Sequence, residues 1–145
     1  MIIKSKRFIT ILILSLLAIF ISLFFDLDRL KTKKAENEPL LSVGDFLKNP
    51  VYDKVVKIYG EVSYLGERNQ FRQVPDCPCF SLYANDGTVN VWYDSMKIFG
   101  PLKRPSVSTA GIKNGEKAVI IGELKSESKD REFKDFWVRK IEKLK

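Results

Sequence analysis

An uncharged segment of 18 residues, Phe8–Phe25 (FITILILSLLAIFISLFF), lies directly behind a basic start. A helix rises 1.5 Å per residue, so this segment would reach roughly 27 Å, close to the ~30 Å hydrocarbon thickness of a bilayer. Lysine and arginine side chains flank it at both ends, where they can reach lipid headgroups. The segment therefore predicts a single-pass transmembrane anchor over residues 8–25, preceded by a basic tail over residues 1–7.

Two other interpretations of this segment stay open, a cleaved signal peptide and a buried helix of a soluble domain. The apolar run exceeds the about 7–15 residues of a signal peptide's hydrophobic region, and no small-x-small cleavage site follows it. Few soluble helices are apolar on every side. Three basic residues precede the segment and four follow within ten residues. Because a short basic tail more often stays in the cytoplasm, we expect the rest of the chain outside, with a cytoplasmic location as the alternative.

The remaining chain has room for one small domain with one core. Residues 26–41 are mostly polar and lack apolar periodicity, which predicts a tether or a frayed helical extension of the anchor, and residues 42–145 form the domain. From Leu40 onward, 18 Lys and Arg face 14 Asp and Glu, an excess of four positive charges. This bias is weaker than a dedicated nucleic-acid-binding domain usually shows, and a Lys/Glu-rich surface explains it equally well.

Alternation with period two begins after a short helix. Ser42 fits an N-cap with Asp45 three residues later, and Pro50 ends the helix. The runs that predict strands are Val55–Leu65, Cys79–Ala84, Val89–Tyr93, Lys117–Lys125 and Phe133–Ile141. A hairpin turn joins the second and third strands, and a long connection joins the third and fourth. The prediction is an all-β, five-stranded Greek-key barrel with a short N-terminal helix, preceded by one transmembrane helix.

These strands also carry a resemblance to a known family. The strings that carry it are Val56–Val62 (VKIYGEV), Phe80–Trp92 (FSLYANDGTVNVW), Asn114–Glu116 (NGE), Ile120–Leu124 (IIGEL) and Phe136–Ile141 (FWVRKI). Over about residues 54–145 the chain resembles the OB-fold nucleic-acid-binding family of the anticodon-binding type. The resemblance implies an OB-fold barrel that binds its ligand on the outer surface. Because this fold hosts many functions, the ligand is a separate question.

The alternation leaves polar and aromatic side chains on the outer surface of the first three strands, where OB-fold domains usually bind. The expected ligand-binding residues are Lys57, Tyr59, Tyr83, Asn90 and Trp92 on the strands, and Arg68 and Arg72 in the loop after the first strand. The rings would stack on bases at about 1–3 kcal/mol per base, and the arginines would contact phosphates. Alternatively, the rings pack under the N-terminal helix or the long connection, and the loop charges are simply solvated.

The two cysteines of the chain, Cys77 and Cys79, are separated by one proline. They would be ordinary half-buried thiols, a strained redox-active disulfide, or half of a metal or haem site completed by a second copy. The chain has no histidine, and we expect neither a metal nor a cofactor. The layout of anchor and barrel is similar to that of the haem chaperone family of cytochrome c maturation. The tail Arg139–Lys145 lacks the His or Cys, four residues before a Tyr, that holds haem in that family.

The sequence offers no nucleophile–base pair, no phosphate-binding glycine loop and no carboxylate pair with a readable geometry, so we expect no catalytic activity. Two functions stay open. The first is a membrane-tethered OB-fold module that binds single-stranded nucleic acid or a similar extended ligand on the face of strands one to three. The second is an extracytoplasmic assembly or chaperone protein that binds a protein or cofactor, with Cys77 and Cys79 as a redox-sensitive element. The lipid bilayer is the partner of residues 8–25 in both, and the oligomeric state is left open.

Overall fold

The computed structural model describes residues 2–65, 78–94 and 106–144, which belong to two compact units, Met1–Lys34 and Ala35–Lys145. The first unit is one helix, α1, which runs Ile2–Glu36 and ends in the second unit. Its apolar side chains from Ile9 to Leu30 are exposed. By length and composition alone, this helix is long and apolar enough to cross a membrane. The segment predicted as a tether, residues 26–41, is helical as far as Glu36.

The second unit is a barrel with one short helix. Its elements are β1 (Leu41–Ser42), α2 (Val43–Lys48), β2 (Val55–Ser63), β3 (Cys79–Ala84), β4 (Gly87–Trp92), β5 (Lys117–Leu124), a 3₁₀ turn (Ser126–Ser128) and β6 (Lys134–Lys143). The five predicted strands are all present, with ends that differ by at most two residues. The predicted helix is α2, capped as expected, because the Ser42 side chain accepts from the Asp45 amide at 3.1 Å.

The strand order identifies the fold. The sheet runs β1-β2-β3-β4-β6-β5, and β5 pairs back onto β2, so that β2 to β6 close a barrel of five strands and β1 lies beside β2. Within the barrel, all neighbouring strands are antiparallel except β4 and β6, which are parallel. The short β1 pairs with β2 in parallel. A meander of three strands followed by a pair in exchanged order is the Greek-key arrangement of an OB-fold. The predicted fold class is therefore confirmed.

The core fills the barrel with side chains of all five strands, and period-two alternation assigns each of them to the inside except Ile141, which follows a register shift in β6. The buried set is Val56, Ile58, Val62, Phe80, Leu82, Val89, Val91, Ala118, Ile120, Leu124, Phe136, Val138 and Ile141. Phe46 of α2 closes one end, where its ring meets the edge of Phe136 with centroids 6.5 Å apart. Burial of this apolar surface is the main force that holds the five strands together.

Two glycines bring elements closer than a side chain would allow. A Cβ on Gly44 would lie 1.9 Å from the Asn85 carbonyl oxygen, so α2 rests directly on the β3–β4 hairpin. A Cβ on Gly122 would lie 2.2 Å from the Trp137 carbonyl oxygen. Gly122 adjoins the irregularity at which β6 carries one extra residue, Arg139, relative to β5. Such a bulge bends the strand and redirects the side chains that follow.

Candidate functional site

Two tryptophans lie side by side on the outside of the barrel. Trp92 ends β4 and is the register partner of Trp137 on β6, and its partner on the other side is Cys79 on β3. Neighbouring strands are about 4.8 Å apart, so the two indoles occupy adjacent positions. Both side chains are partly exposed. They point outward because Val91 and Phe136, their chain neighbours, point into the core.

A buried carboxylate joins this pair to the loop between β5 and β6. Asp135 is only 7% exposed and accepts a hydrogen bond from Trp92 Nε1 at 2.9 Å. Its second oxygen accepts from Arg131 Nη1 at 2.6 Å. The loop is held in turn, because Ser128 Oγ accepts from the Asp135 amide at 2.9 Å and donates to the Lys125 carbonyl at 2.7 Å. One aspartate therefore fixes a strand aromatic and a loop cation.

The other tryptophan has its own cation. Lys125 Nζ lies 4.9 Å from the centroid of the Trp137 ring, within the range of a cation–π contact. The same ammonium group is 3.0 Å from Asp53 Oδ1 and 3.3 Å from Glu123 Oε2. Glu123 also accepts from Arg139 Nε at 3.0 Å. These charges are paired with one another, so this side of the tryptophans carries little net field.

We call the surface formed by five side chains the tryptophan face: Trp92, Trp137, Asp135, Arg131 and Lys125. Sequence reasoning identified Trp92 but missed the other four. Alternation alone offered part of the signal, since Asp135 and Trp137 flank the inward Phe136 and must point outward. Asp135 and Trp137 lie beside Trp92 only because β4 and β6 pair in parallel. The two strands are more than 40 residues apart in the sequence, so alternation carries no information about this pairing.

Two expected ligand-binding residues do not belong to the tryptophan face: Tyr83 lies away from it, and Asn90 is buried. Tyr83 is 47% exposed, and its hydroxyl donates to Asp86 Oδ1 at 3.3 Å. Tyr83 pairs with Thr88, which precedes Trp92 by four residues on β4. At about 3.3 Å per residue, Tyr83 therefore lies about 13 Å from Trp92 along the strands. Asn90 has the outward phase expected of it but is only 4% exposed. The expectation that Asn90 is available on the surface is therefore wrong.

Lys57 and Tyr59 are directed to the opposite side of the barrel. Lys57 Nζ donates to the Glu36 carbonyl at 3.0 Å, at the end of α1. Tyr59 lies between Ser42 of β1 and Val119 of β5. The expected set of five strand residues therefore does not form one platform, since Trp92 alone belongs to the tryptophan face.

The end of α1 is held on the barrel by paired charges as well. Ala35 is buried with Val55 and Ile121, and Lys140 Nζ lies 2.6 Å from Glu36 Oε1. Hydrogen bonds to Glu142 and to Glu36 raise the pKa of Lys140 well above its usual value, so the ammonium form persists at any physiological pH. Lys57 and Lys140 are thus engaged by the chain itself.

The remaining expected residues lie in the loop between β2 and β3. Arg68, Arg72 and Cys77 fall outside the described residues. Cys79 begins β3, is buried, and takes part in a disulfide. The chain contains one other cysteine, Cys77. Among the described residues, 2–65, 78–94 and 106–144, no group of three or more Cys, Asp or Glu has the arrangement of a metal site.

Neither a protein-family model nor a curated protein matches this chain. Similar solved structures include the hypothetical protein YgiW from E. coli, at 18% identity over 74% of this chain and 91% of that chain, with a TM-score of 0.46. The telomere capping protein Ten1 from S. pombe is 14% identical over 72% of this chain and 78% of that chain, with a TM-score of 0.42. A chain of the S. pombe Stn1–Ten1 complex is 11% identical over 74% and 78%, with a TM-score of 0.42. The OB-fold assignment rests on the strand order of this chain itself.

Proposed function

We propose that this protein is a membrane-tethered, non-catalytic OB-fold module that binds single-stranded nucleic acid on the tryptophan face. The observation that carries the proposal is the chain of hydrogen bonds from Trp92 through Asp135 to Arg131. It joins the face of β3 and β4 to the loop between the last two strands, the two parts of an OB-fold that bind oligonucleotides. The ligand site is thereby assembled from distant segments and held in one geometry.

The aromatic part of this site suits bases of any identity. Two partly exposed indoles on adjacent strands offer two stacking surfaces, and each stacked base contributes about 1–3 kcal/mol. Stacking needs only a π face, so we expect affinity with little sequence preference. The site would accept single strands and reject duplex, because paired bases are not available for stacking.

The charged part supports weak rather than tight binding of phosphate. The barrel has an excess of four positive charges from Leu40 onward, and most cations at the tryptophan face are paired with carboxylates. The side chain of Arg131 is 62% exposed, so a phosphate is able to reach this cation, whereas Lys125 and Arg139 are largely buried against Glu123. We expect few phosphate contacts and an affinity that falls with salt.

The tether in this proposal is α1. Residues 8–25 would cross the bilayer, and the barrel would stay at the membrane surface. The length and hydropathy of the helix support this assignment. A fluorescent fusion that remains with membranes after a carbonate wash would agree with it, whereas release of the whole chain into the wash would contradict it.

The binding experiment uses the full chain in nonionic detergent micelles and a fluorescein-labelled 15-nucleotide oligothymidylate, followed by anisotropy at several salt concentrations. Trp92→Ala should weaken binding about 5- to 150-fold, the equivalent of about 1–3 kcal/mol. Tyr59→Ala is the matched control, since it removes an outward aromatic on the opposite side of the barrel. Absence of binding by the wild type at low salt, or equal losses in both variants, would refute the proposal.

A second candidate function follows from Cys79. It is disulfide-bonded, and disulfides persist in oxidising compartments outside the cytoplasm, where nucleic acid is scarce. In that location the protein would serve in extracytoplasmic assembly, with the tryptophan face binding a protein or cofactor and the disulfide as a redox-sensitive element.

Labelling of intact cells with a membrane-impermeant maleimide separates the two candidates, because Cys77 and Cys79 are the only cysteines. Labelling of intact cells that requires prior reduction would favour the assembly role. Labelling only after lysis, with a denatured sample as the control for burial, would place the barrel in the cytoplasm and favour nucleic acid.

A further inference from the structure

We infer that Arg131 is the phosphate-contacting residue of the tryptophan face, held by Asp135 beside the ring that stacks the neighbouring base. The inference rests on the proposed function and adds to it one residue for each part of a nucleotide: Trp92 for the base and Arg131 for the phosphate. Its basis is the position of one carboxylate, whose two oxygens bind two different groups, Trp92 Nε1 at 2.9 Å and Arg131 Nη1 at 2.6 Å.

Asp135 is well placed to act as a positioning residue. It lies on β6 inside the barrel sheet, its side chain is 11% exposed, and its own amide is bound by Ser128. A carboxylate held in this way has little freedom to rotate. The same carboxylate therefore holds the indole of Trp92 and the guanidinium of Arg131 next to each other, as a site for a base and a neighbouring phosphate requires.

Arg131 is able to take a second partner. Its side chain is 62% exposed, and a guanidinium has five N–H groups in a planar fork, of which Asp135 occupies only part. Such forks bind phosphate through two parallel hydrogen bonds. An arriving phosphate can share the exposed guanidinium through its other N–H groups while the bond to Asp135 stays in place.

The neighbouring cations of the tryptophan face are less suited to this role. The side chains of Lys125 and Arg139 are only 14% and 16% exposed, and both bind Glu123. Lys134 Nζ donates to the Lys129 carbonyl at 2.9 Å. Among the described cations of this face, Arg131 combines exposure with a hydrogen bond to the carboxylate that also binds Trp92.

The test compares the salt dependence of oligothymidylate binding for three full-length variants in nonionic micelles. Arg131→Gln should weaken binding several-fold at low salt and reduce the slope of log K against log salt by about 0.7, the contribution of one phosphate contact to a single strand. Arg131→Lys should keep the slope, because the charge remains, while still weakening binding through loss of the fork. Lys48→Gln is the matched control. It removes a similarly exposed cation from an ion pair on α2, and it should change neither the affinity nor the salt slope.

The outcomes distinguish this inference from the proposed function. If the wild type binds and Trp92→Ala weakens binding, but Arg131→Gln and Lys48→Gln have the same slope as wild type, the function stands and the role of Arg131 is refuted. If the wild type does not bind the oligonucleotide at all, the proposed function fails, and the inference fails with it. A reduced slope for Arg131→Gln alone supports both. Thermal melting of each variant verifies that the barrel is intact.

Discussion

Replacement of Gly122 by alanine tests the link between the barrel and its tryptophan face. In a strand interior this change ordinarily stabilises a protein by about 0.5–1 kcal/mol, because glycine loses more backbone entropy on folding. Here the new Cβ would lie 2.2 Å from the Trp137 carbonyl oxygen and 2.7 Å from Phe136 Cε1. The closer atom belongs to the backbone of β6 and has no side-chain rotation with which to move away.

The magnitude follows from the size of this overlap. Ordinary contact begins near 3.4 Å, so β6 must shift by about 1 Å at the position that carries Trp137. Overpacking of a closely packed interior costs about 1–3 kcal/mol, occasionally more. A clash with backbone places the cost near the upper end of this range, about 3 kcal/mol, and subtraction of the entropy gain leaves an expected net loss of about 2 kcal/mol. For a domain of this size, each kcal/mol lowers the melting temperature by about 4–8 °C, so the expected fall is about 8–16 °C.

Tryptophan fluorescence during heating is a suitable assay, because both tryptophans of the chain lie in the barrel and α1 contributes no signal. Lys117→Ala is the control, an exposed position at the start of the same strand, and it should leave the melting temperature nearly unchanged. If Gly122→Ala melted at or above the wild-type temperature, the close approach of β5 and β6 described above would be wrong.

Two further predictions concern the groups that hold the site and the short helix. Asp135→Ala should destabilise the barrel by about 1–2 kcal/mol in urea unfolding, because it removes the acceptor of the Trp92 hydrogen bond. Asp135→Asn keeps an acceptor and should lose less stability. Equal losses in the two variants would contradict the importance of this bond. Hydrogen bonds from Lys48 and Ser42 lower the pKa of Asp45 from 3.8 to about 2, so its contribution to stability is complete above pH 4 and is lost as the pH falls through about 2. The difference in melting temperature between wild type and Asp45→Asn should therefore shrink from about pH 4 to about pH 2, and a constant difference would refute the assignment.

The barrel could be predicted from sequence because its signals are local. Alternation in β2 and β4 placed Ile58, Val62, Val89 and Val91 inside, and all four are fully buried. The hairpin between β3 and β4 could also be predicted, because Asn and Asp tolerate the positive φ angles that such turns require. Asn85 and Asp86 have positive φ angles in the structure.

The site was predicted less well because it depends on pairings between distant strands. Alternation assigns Asn90 and Trp92 to the same outer face, but it carries no information on what covers that face, and Asn90 is buried. The contact of Trp92 with Asp135 requires the parallel register of β4 and β6. The sequence left open whether the polar segment behind the anchor is a tether or continues the helix, because charged residues form helix as readily as apolar ones do; α1 continues to Glu36.

The central claim, that single-stranded nucleic acid binds the tryptophan face, is tested most directly by intrinsic fluorescence. The chain contains two tryptophans, Trp92 and Trp137, and both belong to this face. Titration of the full chain with unlabelled oligothymidylate should quench their emission with the same midpoint that anisotropy reports, and added salt should reverse the quenching. Binding detected by anisotropy without any change in tryptophan emission would place the ligand elsewhere on the protein and contradict the account.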